Sequence, residues 1–347
     1  MMVAAVPGAL QSPHLIGHDA ALETFRRAVA TRLHHAWLLH GPDGIGKTSF
    51  AFHGAHFLLT GGKGKLGAWD AAEPHAKLIA SGAHPDLLVV KRPVDEKTGV
   101  VKEEIPVSSV REITEFFRLT PAMGGWRVTI VQDAERLGRS AENALLKILE
   151  EPPPRAIIFL ATAARGRLLP TIRSRCRAMA FSPLPPNQLL EVLRPHLGDL
   201  APGDVDMLLR LAAGSPGQAL RILEHDGLQI YRDLLSLLQN SGPEQPVALM
   251  KFAQSMGGKG DGDRFALVTQ FCEEWLARLC RLAVSGQVTE IAGGEGQLLR
   301  RMIAVKPLAN WLEVAENCRK QFKAALDASL DRKLILMQCL QQFIVAR

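Results

Sequence analysis

Residues Gly41-Pro42-Asp43-Gly44-Ile45-Gly46-Lys47-Thr48 fit the pattern G-x-x-x-x-G-K-[ST], and they constrain the fold more than any other stretch of the chain. Each position has a physical task. Gly41, Gly44 and Gly46 let backbone N–H groups turn inward toward an anion, Lys47 is placed to reach the β- and γ-phosphates, and Thr48 is placed to hold Mg²⁺. The context agrees. The apolar run Ala36-Trp37-Leu38-Leu39 ahead of the loop reads as a buried strand. Residues 48–59 behind it read as a helix whose N-terminus faces the phosphates. A glycine-rich turn without a ligand is the plainer alternative. A phosphate cradle does not say what the nucleotide is for.

The surrounding pattern predicts an α/β domain. Helical spacing begins at Asp19, a candidate N-cap, and runs over residues 19–33. Further buried strands are expected at residues 86–90, 128–131 and 156–162. Helices are expected over 107–119 and 140–151, the second with Ser140 as N-cap and stopped by Pro152-Pro153-Pro154. The polar turn Asp95-Glu96-Lys97-Thr98-Gly99 suggests a hairpin, and the glycine- and lysine-rich residues 61–67 a flexible insertion. Apolar strands alternating with helices imply a parallel sheet covered on both faces. Beyond Pro183-Leu184-Pro185-Pro186 only helical periodicity remains. We therefore expect an α/β P-loop domain over 1–182, a small helical domain over 183–225 and an all-α domain over 226–347.

Composition narrows the function classes. With 347 residues, 47% apolar and 22% charged, the chain has the balance of an ordinary globular protein. A net charge of +6 permits nucleic-acid proximity without demanding it, and a single Tyr makes aromatic base-stacking an unlikely device. Five widely spaced cysteines, none in a C-x-x-C pair, indicate reduced thiols and neither a disulfide framework nor a zinc knuckle. Apolar runs are too short to span a bilayer, and residues 1–10 make a poor signal peptide. The expectation is a cytoplasmic protein with no membrane association.

A P-loop site needs a second, acidic element at the end of an apolar strand. Here it is Asp133, after the strand 128–131, and it is expected on the Mg²⁺ shell. The next residue is Ala134, and Glu135 lies one step further. On an extended segment a one-residue shift reverses the face, so Glu135 is expected to point away from the γ-phosphate unless the chain turns there. Thr162, ending the strand 156–162, is either a polar sensor of that phosphate or a β-propensity choice.

Two further motifs follow: Asn143-Ala144-Leu145-Leu146-Lys147-Ile148-Leu149-Glu150-Glu151-Pro152-Pro153, and Ser174-Arg175-Cys176. With them the chain resembles the AAA+ subunits of the bacterial DNA polymerase III clamp loader, and within that family the delta-prime branch. The Asp133-Ala134 pair, His84-Pro85-Asp86, and Gly217 where motor subunits carry a sensing arginine all point to that branch. The resemblance covers most of residues 10–225. It implies a five-membered ring with gamma/tau and delta subunits that loads a sliding clamp onto primed DNA, using ATP with Mg²⁺ held at subunit boundaries. Arg175 matches the arginine that reaches the neighbouring subunit's ATP. A guanidinium supplied in trans to a γ-phosphate stabilises its charge and couples nucleotide state to assembly.

Six arginines (Arg155, Arg165, Arg167, Arg173, Arg175, Arg177) and no acidic residue lie between Glu151 and Glu191. Such a face is either a solvated charge run, a subunit contact or a phosphate-backbone contact. The family's four-cysteine zinc module has no counterpart, since residues 57–84 contain no cysteine and His75 with His84 alone cannot close a site. No structural zinc is expected. The complete P-loop implies nucleotide binding, while Ala134 and Gly217 argue against efficient hydrolysis. The alternatives are a self-sufficient motor subunit of the same loader, and a P-loop small-molecule kinase that would leave S-R-C and the helical third without a role. The helical faces within 265–282 and 311–343 are expected to pack against partner subunits.

Overall fold

The computed structural model describes residues 14–95, 101–239, 245–256, 262–327 and 330–343. Its contacts divide the chain into two compact units, one of residues 1–194 with 214–217, the other of residues 195–213 with 218–347.

The first unit is built on a five-stranded parallel sheet of β1 (Ala36–His40), β2 (Leu87–Val90), β3 (Arg127–Val131), β4 (Ala156–Thr162) and β5 (Arg177–Ala180). The strand order is β2-β3-β4-β1-β5, and every pairing is parallel. All residues of β3 and β4 are buried, as expected for central strands covered on both faces. One layer of core sets Phe25, Phe50 and Phe52 against Trp37, Leu39 and Phe159. The opposite layer sets Val110, Ile113, Leu145 and Ile148 against Leu38, Ile158 and Leu160. The residues alternate between layers along each strand, as the two-residue side-chain period requires.

The helices of this unit are α1 (Asp19–Ala30), α2 (Lys47–Leu59), α3 (Pro74–Ala80), α4 (Val107–Arg118), α5 (Arg139–Glu150), α6 (Pro170–Arg175) and α7 (Pro186–Leu193). Two expected caps shift. His18, not Asp19, occupies the N-cap of α1, and Gly138, not Ser140, that of α5; neither makes a side-chain cap bond. The edge strand β5 and the short α3 are additions to the expected elements. β5 has alternating small residues and a single buried position, Met179, which gives a weak sequence signal. Within the expected insertion, Leu66 is buried and the Gly67 carbonyl accepts from the Leu15 N–H. An antiparallel bridge Val94–Val101 agrees with the expected hairpin, whose tip at 96–100 lies outside the described residues.

The second unit is helical in its described residues. It contains α8 (Pro202–Ala212), most of α9 (Pro216–Glu224), then α10 (Gly227–Gln239), α11 (Gln245–Met256), α12 (Gly262–Ser285), α13 (Glu295–Val305), α14 (Leu308–Asp327) and α15 (Arg332–Phe343). Its core buries Phe265, Trp275, Trp311, Phe322 and Phe343. Much of the apolar surface along 265–282 and 311–343 packs within the unit, where α12 and α15 each pack on α14, while Leu312 and Leu334 stay exposed. A buried polar cluster lies among them. The Glu295 carboxylate accepts from Tyr231 at 2.5 Å and from Arg278 at 2.5 Å, and Arg278 also donates to the Thr289 carbonyl.

Candidate nucleotide site

The loop between β1 and α2 is held open by its glycines. Gly41, Gly44 and Gly46 all have positive φ, at 153°, 70° and 99°. A Cβ on Gly41 would lie 2.2 Å from the Phe181 carbonyl oxygen, so the loop's start admits only glycine. The Gly41 N–H donates to the Thr162 carbonyl at 3.3 Å, tying the loop to the end of β4. Lys47 folds back over the loop, its Nζ donating to Gly41 O at 2.9 Å and Pro42 O at 2.5 Å. Burial lowers its pKa, opposed by the carboxylates of Asp43, Glu135 and Asp133, in that order. The first N–H groups of α2 have no partner within the helix, as at any helix start. A curled loop, a helix N-terminus and a buried ammonium committed only to carbonyls fit the phosphates of a nucleotide.

His18 is a participant that sequence reasoning missed. Its Nε2 lies 2.7 Å from the Ile45 carbonyl, and a Cβ on Gly46 would meet the same nitrogen at 3.0 Å. Burial lowers its pKa, favouring a neutral ring that donates to the loop. A lone histidine ahead of a helix carries no signal that would have revealed this contact.

The acidic element is arranged differently from the expectation. Asp133 takes φ 49°, a left-handed turn that ends the strand. Its Oδ2 accepts from Arg92 Nε at 3.1 Å. The turn leads into a short 3-10 segment, Ala134–Arg136, which redirects the next side chains. Glu135 consequently does not point away from the loop. Its Oε1 accepts from the Ala163 N–H at 3.1 Å, one residue beyond the Thr162 that holds Gly41. Its Oε2 is buried and has no hydrogen-bond partner. The alternation rule assumed an extended chain, and the chain turns at Asp133. Thr162 is buried, and its Oγ1 accepts from the Ala164 N–H, which leaves the hydroxyl proton free to donate.

Gly217 also closes on the loop. Its N–H donates to Gly44 O at 2.8 Å, and a Cβ there would stand 2.8 Å from Gly44 Cα. Ser215 Oγ donates to Asp43 O at 3.0 Å. A long side chain at 217 has no room in this arrangement.

Arg175 ends α6. Its Nη2 lies 2.8 Å from Glu150 Oε1 and its Nη1 donates to the Thr171 carbonyl at 3.0 Å. Of the other arginines in that run, Arg155, Arg165, Arg167 and Arg177 are exposed, and Arg177 lies over the Trp37 ring at 4.9 Å. Cys176 is a packing residue whose thiol is pushed up to about 12 by burial.

No group of three or more His, Cys, Asp or Glu among the described residues is placed to hold a metal ion. His75 Nδ1 lies 2.9 Å from His84 Nε2, and His56 Nε2 lies 2.9 Å from Glu73 Oε2. No helix among the described residues is long and apolar enough to cross a membrane.

Fold and site together define a P-loop α/β protein with a helical C-terminal unit. The chain resembles the delta-prime subunits of DNA polymerase III. Residues 17–185 match the family described as DNA polymerase III, delta subunit. DNA polymerase III subunit delta' of Pseudomonas aeruginosa is 36% identical over 62% of this chain and 64% of its own length. The Escherichia coli subunit delta' is 36% identical over 62% of each chain. The E. coli subunit tau is 26% identical over 71% of this chain and 38% of its own length. The chain thus spans a little under two thirds of the length of the delta' relatives. Among solved structures, a DNA polymerase III gamma subunit-related protein of Thermotoga maritima aligns over 93% of this chain with a TM-score of 0.44 and 20% identity.

Proposed function

We propose that this chain is an AAA+ subunit of a DNA polymerase III clamp loader, of the delta-prime kind. In this reading it helps load the sliding clamp onto primed DNA in a five-membered ring with gamma/tau and delta subunits, in the cytoplasm. Residues 1–182 form the nucleotide-binding domain, 183–225 a lid and 226–347 a collar. ATP lies against Gly41, Gly44, Gly46 and Lys47. Thr48 and Asp133 face Mg²⁺, Asp133 exchanging Arg92 for the ion, and Thr162 senses the γ-phosphate.

The observation that carries this reading is the pairing of a complete P-loop with Arg175 at the end of α6. The two sit in one unit, yet the Arg175 guanidinium rests on Glu150 and Thr171 and not on Lys47 or the loop. A guanidinium so placed serves a phosphate held by another chain. Transition-state arginines supplied in trans contribute on the order of 10³–10⁵ in rate. The chain's own turnover is small, because Gly217 contacts Gly44 where a sensing arginine would need space.

Reconstitution with gamma/tau and delta subunits tests the proposal. Arg175→Ala is expected to lower clamp-dependent ATP turnover and loading while leaving ring assembly intact. Lys47→Ala is expected to abolish ATP binding by the purified chain. Unchanged loading by the Arg175 variant would refute the role in trans.

A further inference from the structure

The helical unit holds a cavity of about 770 Å³ beside the loop that joins α12 to α13. Gly286 starts that loop in the left-handed region, at φ 70°, its N–H on the Leu282 carbonyl at 2.8 Å. Residues 285–289 and 291 then line the cavity with Arg210, Glu274, Arg278, Arg281 and Arg300. Four guanidinium groups from three helices thus share one space with one carboxylate. Their commitments differ. Arg278 is buried and spent on Glu295, Tyr231 and the Thr289 carbonyl. Arg210 uses Nε on Asp206 and Nη1 on the Glu290 carbonyl, which leaves Nη2. Arg281 pairs with Glu274, the two side chains 62% and 50% exposed. Such a pair is worth about 0–1 kcal/mol and yields to a stronger anion. Arg300 is exposed and has no hydrogen-bond or ion-pair partner among the described residues. The other acids nearby are held: Glu295 by Arg278, Asp206 by Arg210, and Glu290 by the Gly296 N–H. A ligand therefore meets Arg300, the free edge of Arg210, and Arg281 once Glu274 releases it.

We propose that this cavity is an accessory site for the phosphodiester backbone of single-stranded nucleic acid. Guanidinium forks match phosphate oxygens. The shape selects a strand over a lone phosphate. Its α12 wall runs from Glu274 to Ser285, roughly 16 Å of helix at 1.5 Å per residue. No aromatic side chain lines it, so bases do not stack there and binding is indifferent to sequence. The resident carboxylate argues against an acidic peptide. To take Arg281 a ligand must displace Glu274, and one carboxylate gains little by replacing another. A nucleic-acid strand gains by releasing its condensed counterions. The inference stands on the cavity alone and is independent of the reading of Gly41–Thr48 as an ATP site.

The test uses the full chain and a fluorescent oligothymidylate, with binding followed by anisotropy over a series of salt concentrations. Arg281→Ala with Arg300→Ala removes the two available guanidinium groups. Arg301→Ala with Lys320→Ala removes the same charge from exposed positions of the helical unit outside the cavity. The cavity pair is expected to weaken binding about tenfold at low salt and to flatten the slope of log K against log salt by about 1.4, two phosphates at 0.7 each. The control pair should leave the slope unchanged. In the parent chain, the oligonucleotide should slow amide hydrogen exchange in residues 285–291, a readout that needs no variant. Three results overturn the proposal: a cavity variant that binds as the parent or no worse than the control, no exchange protection in 285–291, or a cavity that takes pyrophosphate or a polyglutamate peptide more tightly than the oligonucleotide.

Discussion

The guanidinium of Arg175 sits 2.8 Å from the Glu150 carboxylate, joining the end of α6 to the end of α5 within one chain. Both side chains are about half exposed, with relative accessibilities of 36% and 49%. Such a pair is worth roughly 0–1 kcal/mol. Its meaning is positional. On the proposed role in trans, the Glu150 carboxylate that holds the guanidinium here would compete with a phosphate offered by a neighbour.

Glu150→Gln is therefore expected to change thermal stability by less than about 1 kcal/mol. In the reconstituted ring it should lower the ATP concentration needed for half-maximal turnover, because Arg175 no longer exchanges one anion for another. Steady-state kinetics against ATP checks this; a loss of turnover at saturating ATP would instead make Glu150 a support that Arg175 needs.

Gly217 is expected to resist even the smallest side chain. The Cβ of Gly217→Ala would press on Gly44 Cα at 2.8 Å, where backbone cannot yield as a side-chain tip can. Overpacking of this kind costs about 1–3 kcal/mol. Urea denaturation should show that loss, and ATP-analogue affinity should fall with it as the loop is displaced.

The helical unit depends on its buried ion pair. Arg278 and Glu295 are 7% and 0% exposed, and Tyr231 shares the same carboxylate. Glu295→Ala leaves Arg278 buried without a counter-charge, at a cost of about 3–5 kcal/mol. Circular dichroism melts should place that loss well above the effect of any single exposed pair.

Acid is expected to loosen the region between α2 and β2. The Asp86 N–H donates to His84 Nδ1, so His84 carries its hydrogen on Nε2 and donates it to His75 Nδ1. Neither bond survives protonation of its acceptor. Burial first, then His75, lowers the His84 pKa below 6.5, with Asp86 and Glu73 opposing. The unfolded chain then binds more protons than the folded one as pH falls below 6.5, so stability is full above that value and declines beneath it. His18, His35 and His40 are lowered too and act with the same sign. Melting temperature should fall between pH 7 and pH 5 by roughly a few degrees, and less steeply in His84→Gln.

By itself the sequence determined the parts whose physics is local. The glycines of the P-loop, the apolar runs of β1, β3 and β4 and the prolines that stop α5 are each dictated by neighbours in the chain. Buried parallel strands read as continuous apolar runs, and those strands emerged with bounds close to the expected ones. The motifs around Leu145 and Arg175 likewise carry the resemblance to DNA polymerase III delta' subunits. The edge strand β5 escaped notice because only Met179 among its four residues is buried. The tertiary structure alone decided where charges meet. The face of Glu135 depended on one left-handed residue at Asp133, which reverses the alternation an extended chain would keep. The contacts of His18 with Ile45 and of Gly217 with Gly44 join positions 27 and 173 residues apart in sequence. No local pattern encodes such pairings, because they follow from how the sheet and its loops close on one another.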